Sequence, residues 1–138
     1  MEILNQLNPQ QKKAVQHNQG PLLILAGAGS GKTRVLTHRI AYLINYYDVP
    51  PQNILTVTFT NKAADEMKER AQKLLGAEKS ISWMGTFHSV CVRILRKECG
   101  KLGYNSNFSI FDATDQRNLV KEVLQEQDFD VRKYKNTV

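Results

Sequence analysis

The sequence predicts an α/β fold in which a parallel sheet is built from strands that alternate with helices. Three short runs of apolar and β-branched residues are each followed by a helical pattern, and we interpret these runs as strands. The predicted strands are Leu22–Leu25, Ile54–Phe59 and Ile81–Met84. Because parallel neighbours need a long crossover connection, this alternation is typical of a parallel sheet with helical crossovers.

A short helix is predicted before the first strand. Asn8 suits the N-cap and Pro9 the first helical position, and the helical pattern continues to about Gln16. Capping in this form leaves Gln11 unexplained. Its side-chain amide carries both a donor and an acceptor, which can pair with the N6 and N7 edge of an adenine.

The first predicted strand leads into a glycine-rich loop, AGAGSGKT at residues 26–33, and a helix follows. The loop contains Gly27, Gly29 and Gly31. We expect these glycines to let successive N–H groups converge on a phosphate in front of a helix N-terminus. Lys32 would reach the β- and γ-phosphates of a nucleotide, and Thr33 would offer a hydroxyl to Mg²⁺. A turn that precedes Lys-Thr by chance is disfavoured by the flanking strand and helix, although Ala26 departs from the usual first glycine.

The helical patterns that follow the strands have recognisable ends. The first stops at the turn Asp48–Pro51, the second runs to Gly76, and the third is expected to close at Gly100. Asn61 is the expected N-cap of the second of these helices.

Polar and aromatic residues follow the second and third strands, at the sheet edge where α/β proteins bind ligands. The candidate contacts to single-stranded nucleic acid are Thr58, Phe59, Thr60, Asn61, Lys62, Thr86, Phe87, His88 and Ser89. An aromatic ring can stack on a base while amides, hydroxyls and lysines reach phosphates. The alternatives are that Phe59 belongs to the core, that Asn61 is only a cap and that His88 makes a structural hydrogen bond.

Composition narrows the class of protein. The 138 residues suffice for about one domain, and 41% of them are hydrophobic. No apolar run approaches a membrane span and the N-terminus lacks signal-peptide features, so we expect a cytoplasmic protein without a membrane partner. The net charge of +6 favours an anionic partner such as nucleic acid, although a basic solvated surface explains it equally well. The two cysteines and three histidines are too scattered for a metal or redox site.

The motifs together resemble the N-terminus of the UvrD/PcrA/Rep-type superfamily 1 DNA helicases. The resemblance is carried by LNPQQ at 7–11, AGAGSGKTRVLTHRIAYL at 26–43, TFTNKAADEM at 58–67 and TFHSVCVRILR at 86–96. It implies a P-loop NTPase fold, with an incomplete RecA-like motor domain over residues 1–105. The start of an inserted helical subdomain would occupy residues 106–138. Ala26 is this family's own variant of the loop.

The resemblance also implies ligands and roles. The parent would be an ATP-dependent 3′-to-5′ DNA helicase that acts on single-stranded DNA and duplex junctions, with possible repair or replication partners. Gln11 would recognise adenine, Arg34 would lie against the nucleotide, and Lys32 and Thr33 would act in catalysis. ATP and Mg²⁺ would be bound by the loop residues Ala26, Gly27, Ala28, Gly29, Ser30, Gly31, Lys32 and Thr33.

Two parts of a helicase active site are not found in the sequence. The family needs an Asp-Glu pair at a later strand end and arginines from a second motor domain. Phe108–Asp112 imitates a strand that ends in a magnesium aspartate, but Ala113 follows where Glu is needed. We therefore expect no ATP turnover from these residues alone. A small P-loop kinase that uses Asp112 on Mg²⁺, and a non-enzymatic single-strand binder, are the alternatives.

Overall fold

The structure, a computed structural model, describes residues 2–76 and 79–129 and divides the chain into two compact units, Met1–Ile94 and Leu95–Val138. The elements are α1 (Glu2–Asn5), α2 (Pro9–Gln16), α3 (Lys32–Tyr46), β1 (Leu55–Thr58), α4 (Asn61–Leu75), β2 (Trp83–Thr86), α5 (Phe87–Glu98) and α6 (Ala113–Glu126). Among these helices, none is long and apolar enough to cross a membrane. The predicted domain boundary near residue 105 stays a prediction about the parent protein.

The sheet of the first unit consists of β1 and β2, which pair in parallel with α4 as the crossover. The register aligns Leu55 with Trp83 and Thr58 with Thr86, so both strands end at the same edge. The predicted parallel sheet with a helical crossover is confirmed for these strands. β2 lies two residues later than predicted, and the RecA-like arrangement stays a prediction.

The predicted first strand is wrong, because Leu22–Leu25 forms no strand in the structure. Leu23 and Leu25 are 81% and 87% exposed, while Ile24 between them packs against a buried cluster with members in α1, α2 and α3. A strand requires ladder hydrogen bonds to a neighbour. In the described part of the chain, β1 and β2 pair only with each other. The apolar run alone therefore could not establish a strand.

The long helix α3 takes part in both hydrophobic clusters of the first unit. Its Ile40 and Ile44 pack with residues of α4 and β2, and its Val35 and Tyr42 pack with α1 and α2. The first cluster consists of Ile40, Ile44, Ile54, Met67, Ala71 and Met84. The second consists of Leu4, Leu7, Val15, Val35 and Tyr42. Burial of these apolar surfaces holds α2, α3 and α4 around the glycine-rich loop.

A half-buried arginine side chain also ties α2 to α3. Arg39 of α3 donates hydrogen bonds to the carbonyl oxygens of Ala14 (3.0 Å) and Val15 (3.4 Å) and to that of His17. The last carbonyls of a helix lack partners within the helix. Arg39 satisfies two of those of α2 and fixes its C-terminal end against α3.

Side-chain caps set the starts of α2 and α4. Asn8 caps α2 with Pro9 in the first position, as predicted. The predicted cap of α4 is wrong, because Thr60 is the N-cap and its hydroxyl accepts from the Ala63 N–H at 3.2 Å. Asn61 is instead the first helical residue. Threonine and asparagine are both good caps, so local preference did not decide between adjacent positions.

The second unit begins within the last turn of α5. The prediction that this helix ends at Gly100 is wrong. A 3₁₀ turn over Cys99–Leu102 follows α5 and ends at Gly103, whose φ is 78°. Asp112 caps α6, and its carboxylate accepts from the N–H groups of Thr114 (2.6 Å) and Asp115 (2.9 Å). These hydrogen bonds hold the pKa of Asp112 below its usual value, and the bond from the Asp115 N–H has the largest effect.

Candidate functional site

The glycine-rich loop owes its shape to two glycines rather than three. Gly29 and Gly31 have φ values of 72° and 85°, a region that residues with a Cβ rarely adopt. The prediction of a special conformation is wrong for Gly27, whose φ is not positive and beside which a Cβ would meet nothing within 4 Å. Gly31 is the N-cap of α3, so the loop ends at a helix N-terminus as expected.

The ammonium group of Lys32 lies over the loop. Its Nζ donates to the carbonyl oxygens of Ala26 at 3.0 Å and Gly27 at 2.7 Å. The Ser30 hydroxyl also donates to the Gly27 carbonyl, at 2.7 Å. A phosphate that enters the loop would replace these neutral acceptors with charged ones, and charge-assisted hydrogen bonds are the stronger kind.

The side chain of Gln11 joins α2 to this loop. The expectation that capping leaves Gln11 free is wrong, because its Oε1 accepts from the Asn8 N–H at 3.0 Å and completes a capping box. Its Nε2 donates to the Ser30 carbonyl at 3.1 Å. A Cβ at Gly31 would come within 2.9 Å of the same Nε2. Gln11 therefore lies directly against the loop, and both ends of its side-chain amide are hydrogen-bonded within the protein.

A cavity of about 430 Å³ opens beside the loop. It is lined by Gln11, Gly29, Ser30, Gly31, Lys32, Thr33, Arg34 and Arg70. A neighbouring cavity of about 350 Å³ includes Ala26, Gln11, Ser30 and Lys32 in its lining, while Gly27 and Ala28 line neither of these two. The structure thus brings Gln11, Arg34 and most of the loop together, as expected for a common site.

Arg70 is the lining residue that sequence reasoning missed. It lies on α4, far along the chain from the loop, and its position four residues after Glu66 is typical of a solvent-exposed ion pair. No local pattern distinguishes it from the other charged residues of α4. Only the packing of α4 against α3 brings it to the cavity.

The two aromatic residues predicted at the sheet edge lie in contact. The ring centroids of Phe59 and Phe87 are 5.3 Å apart with an interplanar angle of 43°. Phe59 is 87% exposed and Phe87 46% exposed. The alternative that Phe59 belongs to the core is therefore wrong. Since β1 and β2 end in register, the residue after each strand emerges at the same edge.

The hydroxyl groups at this edge have structural partners. Thr60 caps α4, and Thr86 accepts from the Ser89 N–H at 3.2 Å while the Ser89 hydroxyl donates to the Thr86 carbonyl at 2.9 Å. Thr86 is buried, and a Cβ at Gly85 would come within 2.5 Å of the Ser89 Oγ. DNA contact by the three hydroxyls, and by Thr58 in β1, stays a prediction.

The remaining polar candidates, Asn61, Lys62 and His88, are exposed. They are open to a ligand beside the aromatic pair. Within residues 2–76 and 79–129, no group of three or more His, Cys, Asp or Glu side chains is placed to hold a metal ion.

Comparison with known proteins places the chain in a family. Residues 7–137 match the family model described as the UvrD/REP helicase N-terminal domain. The chain belongs to the UvrD/REP helicase family. The resemblance inferred from the four motifs is thereby confirmed, over nearly the whole chain.

Two relatives show how close the similarity is. The chain is 57% identical over 132 residues to "ATP-dependent DNA helicase PcrA" of Staphylococcus aureus (strain Mu50 / ATCC 700699). It is 54% identical over 132 residues to the protein of the same name from Staphylococcus epidermidis (strain ATCC 12228 / FDA PCI 1200). Each alignment covers 96% of this chain and 18% of the relative. The chain thus spans less than a fifth of the length of these helicases.

Proposed function

We propose that this chain is the ATP-binding and single-stranded-DNA-contacting N-terminal part of an ATP-dependent DNA helicase. The observation that carries the proposal is the exposed pair of Phe59 and Phe87 in the same compact unit as the glycine-loop cavity. An ATP-driven translocase needs a nucleotide site and a surface for the strand on one body. The relatives are ATP-dependent DNA helicases, which agrees with both ligands.

ATP fits the cavity in its donors and its charge. Lys32 and Arg34 supply positive charge, and the left-handed glycines let loop N–H groups face an anion at the start of α3. The ammonium of Lys32 would move from the Ala26 and Gly27 carbonyls to the β- and γ-phosphates. The Gln11 side-chain amide lies at the cavity wall, so its Nε2 could donate to adenine in place of the Ser30 carbonyl.

Mg²⁺ fits this cavity only in part. Thr33 lines it and offers a hydroxyl oxygen, the ligand type that Mg²⁺ prefers, but no carboxylate of the described residues lines it. With ATP bound, Mg²⁺ would neutralise charge between the phosphates. The chain's own share in holding the ion is the Thr33 hydroxyl, and water and phosphate oxygens would complete the coordination.

Single-stranded DNA would lie across the ends of β1 and β2. The uncovered face of Phe59 is available for a base, and Phe87 supports it from the side. Asn61, Lys62 and His88 are positioned on the same edge for phosphates. We extend the proposal to the parent protein as a 3′-to-5′ helicase that acts at duplex junctions in DNA repair or replication.

The chain by itself should not turn over ATP. Hydrolysis needs a carboxylate to orient water, and arginine fingers alone contribute about 10³–10⁵ in rate in related phosphoryl-transfer enzymes. Asp112, the acid invoked by the kinase alternative, accepts two backbone hydrogen bonds as the cap of α6. That use of its carboxylate disfavours the kinase alternative.

Two binding titrations on the 138-residue chain test the proposal. Lys32→Ala should abolish most MgATP affinity and leave affinity for a labelled oligodeoxythymidylate unchanged, because the two sites use different residues. Phosphate release with excess oligonucleotide should equal that of Lys32→Ala. Equal MgATP affinity in parent and Lys32→Ala would refute the nucleotide site, and turnover that depends on Lys32 would refute the predicted inactivity.

A further inference from the structure

The lining of the glycine-loop cavity contains a cation from an unexpected element. Seven of its eight residues come from α2, the loop or the first turn of α3, whereas Arg70 comes from the third turn of α4. With Lys32 and Arg34 it makes three cationic side chains on one cavity, and none of the described lining residues is acidic. Such a concentration of positive charge is suited to a polyanion.

The neighbouring cations of α4 behave differently. Lys73 pairs with Glu69 at 2.6 Å and does not line this cavity. Lys68 pairs with Asp65 at 3.8 Å and lines a separate cavity with Arg93. Arg70 is thus the one cation among the described residues of α4 that faces the loop. If α4 only exposed its charges to solvent, there would be no reason for Arg70, and not Lys68 or Lys73, to line the loop cavity.

The guanidinium of Arg70 is weakly engaged in the structure. Its partner is Glu66, one turn earlier, with an N–O distance of 3.4 Å, and the two side chains are 52% and 48% exposed. Exposed pairs of this kind contribute little, so Arg70 can leave Glu66 for a stronger acceptor. A guanidinium also presents a planar fork of donors that matches two phosphate oxygens at once.

We propose that Arg70 is a further nucleotide-contacting residue, whose guanidinium binds the phosphate chain of the ATP held by the glycine-rich loop. The inference rests on the proposed ATP site. It adds a contacting residue from α4. The N-terminal end of this helix carries Thr60, Asn61 and Lys62 at the sheet edge that presents the two phenylalanines. One rigid helix would then contribute to both ligand surfaces.

The test is calorimetric titration of the 138-residue chain with MgATP and, separately, with inorganic tripolyphosphate. Arg70→Ala should weaken both ligands by the same factor, about ten- to a hundredfold, as expected for lost hydrogen bonds to a charged group. Lys73→Ala is the matched control, since it removes the same charge from the same helix outside the cavity, and should change either affinity less than twofold. Arg70→Lys keeps the charge without the fork and should lie between Arg70→Ala and the parent.

The outcomes separate this inference from the proposed function. If Lys32→Ala weakens MgATP binding but Arg70→Ala and Arg70→Lys bind like the parent, the role of Arg70 is refuted and the loop site stands. If Arg70→Ala weakens MgATP but not tripolyphosphate, contact with the phosphate chain is refuted. If the parent and Lys32→Ala bind MgATP equally, the proposed site itself fails. Circular dichroism melts of each variant identify any that is unfolded, and Arg70→Lys then decides.

Discussion

Replacing Phe59 by alanine tests whether this side chain binds DNA or stabilises the fold. Phe59 is 87% exposed and touches Phe87 at the end of the sheet. The substitution removes the ring without altering the backbone of β1 or the Thr60 cap of α4. We expect a large loss of affinity for single-stranded DNA and a small loss of stability.

The expected loss of stability follows from the exposed fraction of Phe59, and the expected loss of affinity follows from the typical energy of base stacking. A buried aromatic side chain covers about 150–250 Å², so the eighth of Phe59 that the protein covers amounts to roughly 20–30 Å². At about 25 cal/mol per Å² this is ~0.5–0.8 kcal/mol of unfolding free energy, or a melting temperature lower by less than about 4 °C. Stacking on a base contributes about 1–3 kcal/mol, which corresponds to a Kd raised about 5- to 150-fold.

Fluorescence anisotropy with a labelled oligodeoxythymidylate measures the affinity, and a thermal melt of the same sample measures the stability. Leu55→Ala is the matched control, because Leu55 is 58% exposed at the opposite end of β1 and should leave the affinity unchanged. Lys62→Ala should instead lower the slope of log K against log salt by about 0.7, one phosphate's share on a single strand. Unchanged DNA affinity in Phe59→Ala would refute stacking, and a loss that merely follows unfolding would restore a core role.

Three further predictions concern the local geometry. Thr60→Ala should destabilise the chain by about 1 kcal/mol in urea unfolding, because the Ala63 N–H loses its acceptor, whereas Thr60→Ser should be nearly neutral; equal losses in both would contradict the cap. Gly31→Ala should weaken MgATP binding more than Gly27→Ala in the same titration, since φ is 85° and the new Cβ would meet Gln11 Nε2 at 2.9 Å; the reverse order would refute the loop geometry. The Asp112 carboxyl should titrate below its ordinary 3.8 in an NMR pH series, so that its stabilisation of α6 is complete above that pH and is lost as the pH falls through the lowered pKa; a midpoint at or above 3.8 would contradict the cap.

The sequence was most informative where structure depends on near neighbours in the chain. Asn8 and Pro9 define the start of α2 through capping and a preset φ, and both were readable directly. The spacing of apolar residues predicted α3, because one face of the helix must meet the core, whereas capping and charge signals predicted α4. Both helices lie within a residue or two of the expected bounds. The four motifs likewise sufficed to predict the family, which the comparisons confirm.

Tertiary structure decided the features that depend on residues distant in the chain. The apolar run Leu22–Leu25 looked like a strand, but a strand exists only with a hydrogen-bonded neighbour. Phe59 could have been buried or exposed, and only the packing of the sheet left it exposed beside Phe87. Arg70 reached the loop cavity because α4 packs on α3. Pairing, burial and convergence on a cavity are properties of contacts between distant segments, so no local pattern encodes them.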